Sequence, residues 1–205
     1  MNLSIINIAL IGTALTALTL SNPVDARKGG KSKKKAPEIM FARIDVDEST
    51  TITLDELLAN IDSRAQKKLD KADTDTSSEI ELSEFLAKKR NQTDLSTYAA
   101  AIVQCVQDAK DASGDNSITV PDVDKFASPE DKFSALDTDV NGGLSLSEIT
   151  SAMTTHKTGT FTAMDSDTSS DVTLDEFTVY FEGKKATRMA VKTCINELID
   201  DSDPV

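Results

Sequence analysis

Asp137-Thr138-Asp139-Val140-Asn141-Gly142-Gly143-Leu144-Ser145-Leu146-Ser147-Glu148 is the stretch on which the fold of this chain turns. Counted from Asp137, it places oxygen-bearing side chains at positions 1, 3, 5, 9 and 12, an aliphatic residue at position 8 and Leu at position 10. The template recurs from Asp45 to Glu56 (DVDESTTITLDE), from Asp73 to Glu84 (DTDTSSEIELSE) and from Asp165 to Glu176 (DSDTSSDVTLDE). One such match in an acidic chain reads equally well as a helix N-cap or a polar turn. Four matches with the same closing Glu and the same apolar flanks point to one repeated chemistry.

That chemistry is oxygen ligation of a hard divalent cation. An ion of calcium's size takes about six to eight oxygens, and a loop curled around it can aim positions 1, 3, 5, 7, 9 and 12 inward, with position 7 using its backbone carbonyl. The candidate ligands are therefore Asp45, Asp47, Ser49, Thr51 and Glu56; Asp73, Asp75, Ser77, Glu79 and Glu84; Asp137, Asp139, Asn141, Gly143 and Glu148; and Asp165, Asp167, Ser169, Asp171 and Glu176. The second loop adds an acid at position 9, Glu81. With no sulfur or imidazole in any loop, zinc, copper and iron are poor candidates.

Four residues before each loop stand Phe41, Leu69, Phe133 and Phe161, and one residue after stand Leu57, Phe85, Ile149 and Phe177. Those offsets suit the inner faces of an entering and an exiting helix. On these residues the chain resembles the EF-hand superfamily of calmodulin-like helix–loop–helix calcium proteins over nearly all of residues 39–182. The full entering helix argues against dockerin-type loops. The resemblance implies an all-α fold of paired EF-hand units in two tandem modules and about four bound Ca2+. It also implies short β pairing between loops through Ile52, Ile80, Leu144 and Val172, the Asp45 loop with the Asp73 loop and the Asp137 loop with the Asp165 loop. The departure is position 6, where the family favours Gly and only Gly142 conforms. Thr50, Ser78 and Ser170 must take positive φ there, at about 1 kcal/mol or more each, which weakens binding at three sites.

A poorer fifth loop runs from Asp111 to Asp122, with Ile118 at position 8, Pro121 beside a shortened closing acid, and two readings: a vestigial turn, or a weak calcium or magnesium site. Internal comparison gives a larger unit, because the Asp137 and Asp165 loops each stand 92 residues after the Asp45 and Asp73 loops. Cys105 and Cys194 follow the same duplication, each on an amphipathic helix and each six residues before an Asp, with the second copy ending before its third loop can close. A disulfide across the duplicated modules and a pair of buried thiols are both open readings.

The expected domains are a signal peptide at 1–26, a basic leader at 27–38, a first module at 39–127 and a second at 128–205. Leu3 to Leu20 is uncharged but interrupted by polar residues, and Val24-Asp25-Ala26 offers a cleavage site after Ala26, so the expectation is a secreted or periplasmic monomer. The leader gathers Arg27, Lys28, Lys31, Lys33, Lys34 and Lys35 beside Gly29 and Gly30. It reads as a solvated segment or as a tether to an anionic surface or polymer.

With 35 acidic against 22 basic residues and a net charge of −13, nucleic acid is excluded as a partner. No enzyme is expected either. The single His, His156, lies in a Thr-rich stretch (THKTGT) that reads as a solvated connection, and no nucleophile, phosphate-loop or zinc-helix motif occurs. Aromatics at 4% leave little for a sugar cleft, so the acidic pairs do not read as a glycosidase. The expected function is calcium binding as a buffer or a calcium-stabilised structural protein. The alternative is a sensor or adaptor that takes a protein or cell-surface partner into an apolar groove.

Overall fold

Where the helices begin is decided by the last residues of each acidic loop. Thr53 and Ser145 cap the helices that follow, each side chain accepting from the amide of the Glu three residues on while that Glu accepts from the cap's own amide. Thr173 and Glu176 exchange the same bonds. The computed structural model describes residues 36–88 and 93–200. Over them the chain runs α1 (Pro37–Phe41), β1 (Thr51–Thr53), α2 (Leu54–Leu58), α3 (Ile61–Ala72), β2 (Ile80–Glu81), α4 (Leu82–Ala87) and α5 (Ala99–Ser113). It continues through α6 (Pro129–Leu136), β3 (Gly143–Leu144), α7 (Leu146–Met164), β4 (Asp171–Thr173) and α8 (Leu174–Asp200), with 3-10 turns at Ser96–Tyr98 and Val123–Phe126. The protein is mostly helical with a few short strands. The signal segment, the basic leader up to Lys35 and the truncated loop after Asp200 lie outside the described residues.

The strands pair through position 8 of the loops, but with different partners from those expected. β1 runs antiparallel to β4 with Ile52 opposite Val172, and β2 to β3 with Ile80 opposite Leu144. The Asp45 loop is thus joined to the Asp165 loop and the Asp73 loop to the Asp137 loop, so pairing crosses between the two sequence halves. Helix continuity supplies a reason. Residues 146–164 form one rigid helix, α7, which holds its two flanking loops a helix length apart, about 28 Å at 1.5 Å per residue, and so prevents them from pairing with each other. In the first half the same span is α2 and α3, again running between the two loops that sequence order makes neighbours.

Each strand pair sits on its own core. Phe41, Leu57, Phe161 and Phe177 pack beneath Ile52 and Val172, with Phe41 and Phe177 edge to face at 5.7 Å. Leu69, Phe133 and Ile149 pack beneath Ile80 and Leu144, with Phe85 edge to face on Phe133 at 5.7 Å. The 92-residue correspondence exchanges these two cores, since α1 meets α8 as α6 meets α4.

A third core joins α5 to the C-terminal part of α8 around Ile102, Val106, Val191 and Cys194. The two cysteine helices pack on one another and not beneath the loops. Cys105 and Cys194 form a disulfide with Cα atoms 5.8 Å apart, which decides between the two readings of the cysteines. The Thr-rich stretch around His156 is not a connection but part of α7, with His156 exposed. Flanking apolar residues and the capping box at Ser145 outweigh the weak helix propensity of Thr and Gly159. Among the described residues no helix is long and apolar enough to cross a membrane.

Candidate metal centres

Four groups of three carboxylates are brought together, each with ligand atoms within 4.8 Å of one another: Asp45, Asp47 and Glu56; Asp73, Asp75 and Glu84; Asp137, Asp139 and Glu148; Asp165, Asp167 and Glu176. These are positions 1, 3 and 12 of the four repeats. The Asp111 to Asp122 segment forms no such group among the described residues, for a local reason. Asp111 stays inside α5, which runs on to Ser113 and ends at Gly114 with φ +64°, while Ile118 is buried against α8 and the Thr119 amide donates to Thr187 Oγ1 at 2.8 Å.

The loops hold their acids by the same bonds in every copy. The carboxylate at position 1 accepts from the amides of positions 5 and 6: Asp137 from Asn141 at 3.1 Å and Gly142 at 3.0 Å, Asp45 from Ser49 at 3.0 Å and Thr50 at 3.1 Å. Asp73 and Asp165 repeat this with Ser77 and Ser78 and with Ser169 and Ser170. The position 12 Glu bridges the loop. Glu148 accepts from the Thr138 amide at 2.7 Å on one oxygen and from the Ser145 amide at 2.9 Å on the other. Glu56 does so between Val46 and Thr53, and Glu176 between Ser166 and Thr173.

Position 5 is tied to position 7. Ser49, Ser77 and Ser169 donate to the carbonyls of Thr51, Glu79 and Asp171 at 3.1, 3.1 and 2.9 Å, and Asn141 accepts from the Gly143 amide at 2.8 Å. All five candidate positions of each loop are therefore knit into one turn.

These donors keep the acids ionised. The Ser145 amide, and after it the Ser145 hydroxyl and Thr138, lower the Glu148 carboxyl to about 2. Amides and hydroxyls of Thr173 and Ser166 do the same for Glu176, and those of Thr74 lead for Glu84. Glu56 is lowered chiefly by the Thr53 amide, and Asp47 chiefly by the Ser49 side chain. Three carboxylates held this close repel one another when charged, and a cation between them offsets that cost.

The donor set fits a hard cation: carboxylates, hydroxyls, an amide oxygen and carbonyls, with no thiolate or imidazole. In the second loop the Glu81 Oε2 atom is buried with no hydrogen-bond partner, an oxygen at position 9 that wants a cation or a donor.

Two features escaped sequence reading. Position 4 is left-handed in every loop as well as position 6, with φ +58° at Glu48, +66° at Thr76, +58° at Val140 and +59° at Thr168. Nothing in those residue types announces it. The second is a bond between loops: Asn141 Nδ2 donates to the Glu79 carboxylate at 3.2 Å, and a Cβ on Gly143 would collide with that carboxylate. A side chain at position 143 would thus displace the Glu79 carboxylate of the neighbouring loop, a constraint invisible without knowing which loops pair. No protein-family model, curated protein or solved structure matches the chain.

Proposed function

We propose that this chain is a calcium-binding protein of EF-hand type that takes up about four Ca2+ and is stabilised by them, serving outside the cytoplasm as a buffer or as a structural protein. The observation that carries the reading is the fourfold gathering of three carboxylates, from positions 1, 3 and 12, with ligand atoms within 4.8 Å of one another. The holding residues would be those of positions 1, 3, 5, 7 and 12, where the ion supplies positive charge between groups that otherwise repel. The paired cysteines support an oxidising compartment, in keeping with the proposed removal of residues 1–26.

Titration calorimetry on residues 27–205 tests this. About four ions bind, with affinities of about 10⁻⁵–10⁻³ M, the span from weak sensors to extracellular modules. Chelation lowers the melting temperature, because calcium binds the folded state and relieves the net charge, which is −12 for residues 27–205 once Asp25 is gone. The variant Glu148→Gln removes one of the four sites and keeps the fold. Zero or one ion at millimolar calcium, or equal melting temperatures with and without chelator, refutes the reading.

A further inference from the structure

The two cores beneath the strand pairs descend from the same sequence unit, yet only one is filled. Beneath β1 and β4, Met164 is buried and Met40 and Tyr180 pack against the core. The 92-residue correspondence places Ala72, Lys132 and Lys88 at those positions beneath β2 and β3, and Lys68 where the other core has Thr160. Two long apolar side chains and a ring have become an Ala and two Lys. The result is a cavity of about 530 Å³ over Ile80, Phe85 and Leu136, with Lys68, Lys88 and Lys132 on its lining.

The lysines are distinctive in a chain of net charge −13. Desolvation lowers the Lys88 ammonium, and repulsion from Lys71 and Lys68 lowers it further, against a partial offset from Glu84. Asp94 is lowered chiefly by the Ser96 amide and hydroxyl and, to a smaller extent, by Lys132. Among the described residues no acid lines the cavity itself. Cations held together over an apolar floor, at positions where the twin core needs none, favour an occupant that brings negative charge and apolar surface in one molecule.

We propose that the cup between α3, α4 and α6 binds a single-chain anionic amphiphile of the fatty-acid class, its aliphatic tail on Ile80, Phe85 and Leu136 and its carboxylate among Lys68, Lys88 and Lys132. The volume falls within the range of about 300–1,000 Å³ typical of small-molecule sites. The site stands on the helices and their side chains, so it is independent of which cation the loops take.

The test is calorimetry of the full chain with sodium decanoate, at free calcium low enough to keep the soap dissolved, beside decyltrimethylammonium, which has the same tail and the opposite charge. One decanoate binds per chain and the cationic amphiphile binds at least about tenfold more weakly. In K88Q/K132Q the decanoate affinity falls about tenfold, the loss of charge-assisted contacts, with helicity and calcium stoichiometry kept. In A72M/K132M, which restores the two methionines of the filled twin, binding is lost. Equal binding of both amphiphiles, unchanged binding in either variant, or displacement of decanoate by a tighter acidic amphipathic peptide overturns the proposal, the last in favour of a protein partner.

Discussion

At the scale of single residues the loops carry a conformational cost that a designer could remove. Seven non-glycine residues have φ between +58° and +74°, two in each loop except that of Asp137, where position 6 is Gly142. A left-handed residue with a Cβ costs about 1–2 kcal/mol, and replacing it by Gly returns that less about 0.5–1 kcal/mol of extra chain entropy. Val140 is the extreme case, since it is β-branched, at φ +58° and 84% exposed, so its side chain contributes almost no burial in return. Val140→Gly is expected to stabilise the calcium-loaded protein by about 1 kcal/mol in urea unfolding, and Ser78→Gly by about half as much. Ser83→Gly, inside α4 where φ is negative, changes sign and destabilises. A loss of stability in Val140→Gly contradicts this account. Position 6 could be anticipated because its Gly preference belongs to the loop type; position 4 could not, because Glu48, Thr76, Val140 and Thr168 share no property that marks a left-handed turn.

At the scale of elements, helix starts and the gathering of acids were legible in the sequence, whereas the choice of loop partner and the continuity of α7 were not. The loop spacing, the flanking apolar residues and the S/T-x-x-E caps locate helix starts and gather the acids, because every contact involved lies within about twelve residues. Which loop faces which is a long-range choice. Ile52, Ile80, Leu144 and Val172 are interchangeable as strand residues, so nothing in them selects a partner. The selection comes from helix rigidity, and α7 looked like two elements with a Thr-rich connection between them. The observed pairing carries a functional consequence, since loops that share a ladder share the cost of being ordered. Coupling energies between sites are commonly 1–3 kcal/mol, or about 5–150-fold in affinity. Glu56→Gln should therefore weaken calcium binding at the Asp165 loop about fivefold or more and leave the Asp73 loop nearly unchanged, as followed by the amide resonances of Ser170 and Ser78. The opposite result, weakening at Asp73 with Asp165 intact, would restore the pairing expected from sequence order.

At the scale of the whole molecule the duplication has been folded through itself. Each sequence half contributes one loop to each strand pair, and the cysteine helices of the two halves meet in a third core locked by Cys105 and Cys194. The closed loop of 89 residues gives the disulfide about 4.6 kcal/mol in the chain-entropy view, more than a short loop would. Neither half can satisfy its own strands or cover its own phenylalanines, so the boundary at 127 and 128 that divides the repeats does not divide the structure. Residues 39–127 alone leave Ile52 and Ile80 without partners, and Phe85 without Phe133. Residues 128–205 alone leave Val172 and Leu144 unpaired and Phe177 without Phe41. Expressed separately, each half is expected to melt without a cooperative transition as a monomer. Mixed in calcium under oxidising conditions they should reassemble one to one, recover the Cys105–Cys194 bond and melt cooperatively, because both strand pairs and all three cores are shared between the two pieces. Calorimetry and sedimentation of the halves and their mixture decide the matter. A monomeric half that melts cooperatively by itself would mean that loops can pair within a module after all, and that the crossed arrangement is one of two the duplication permits.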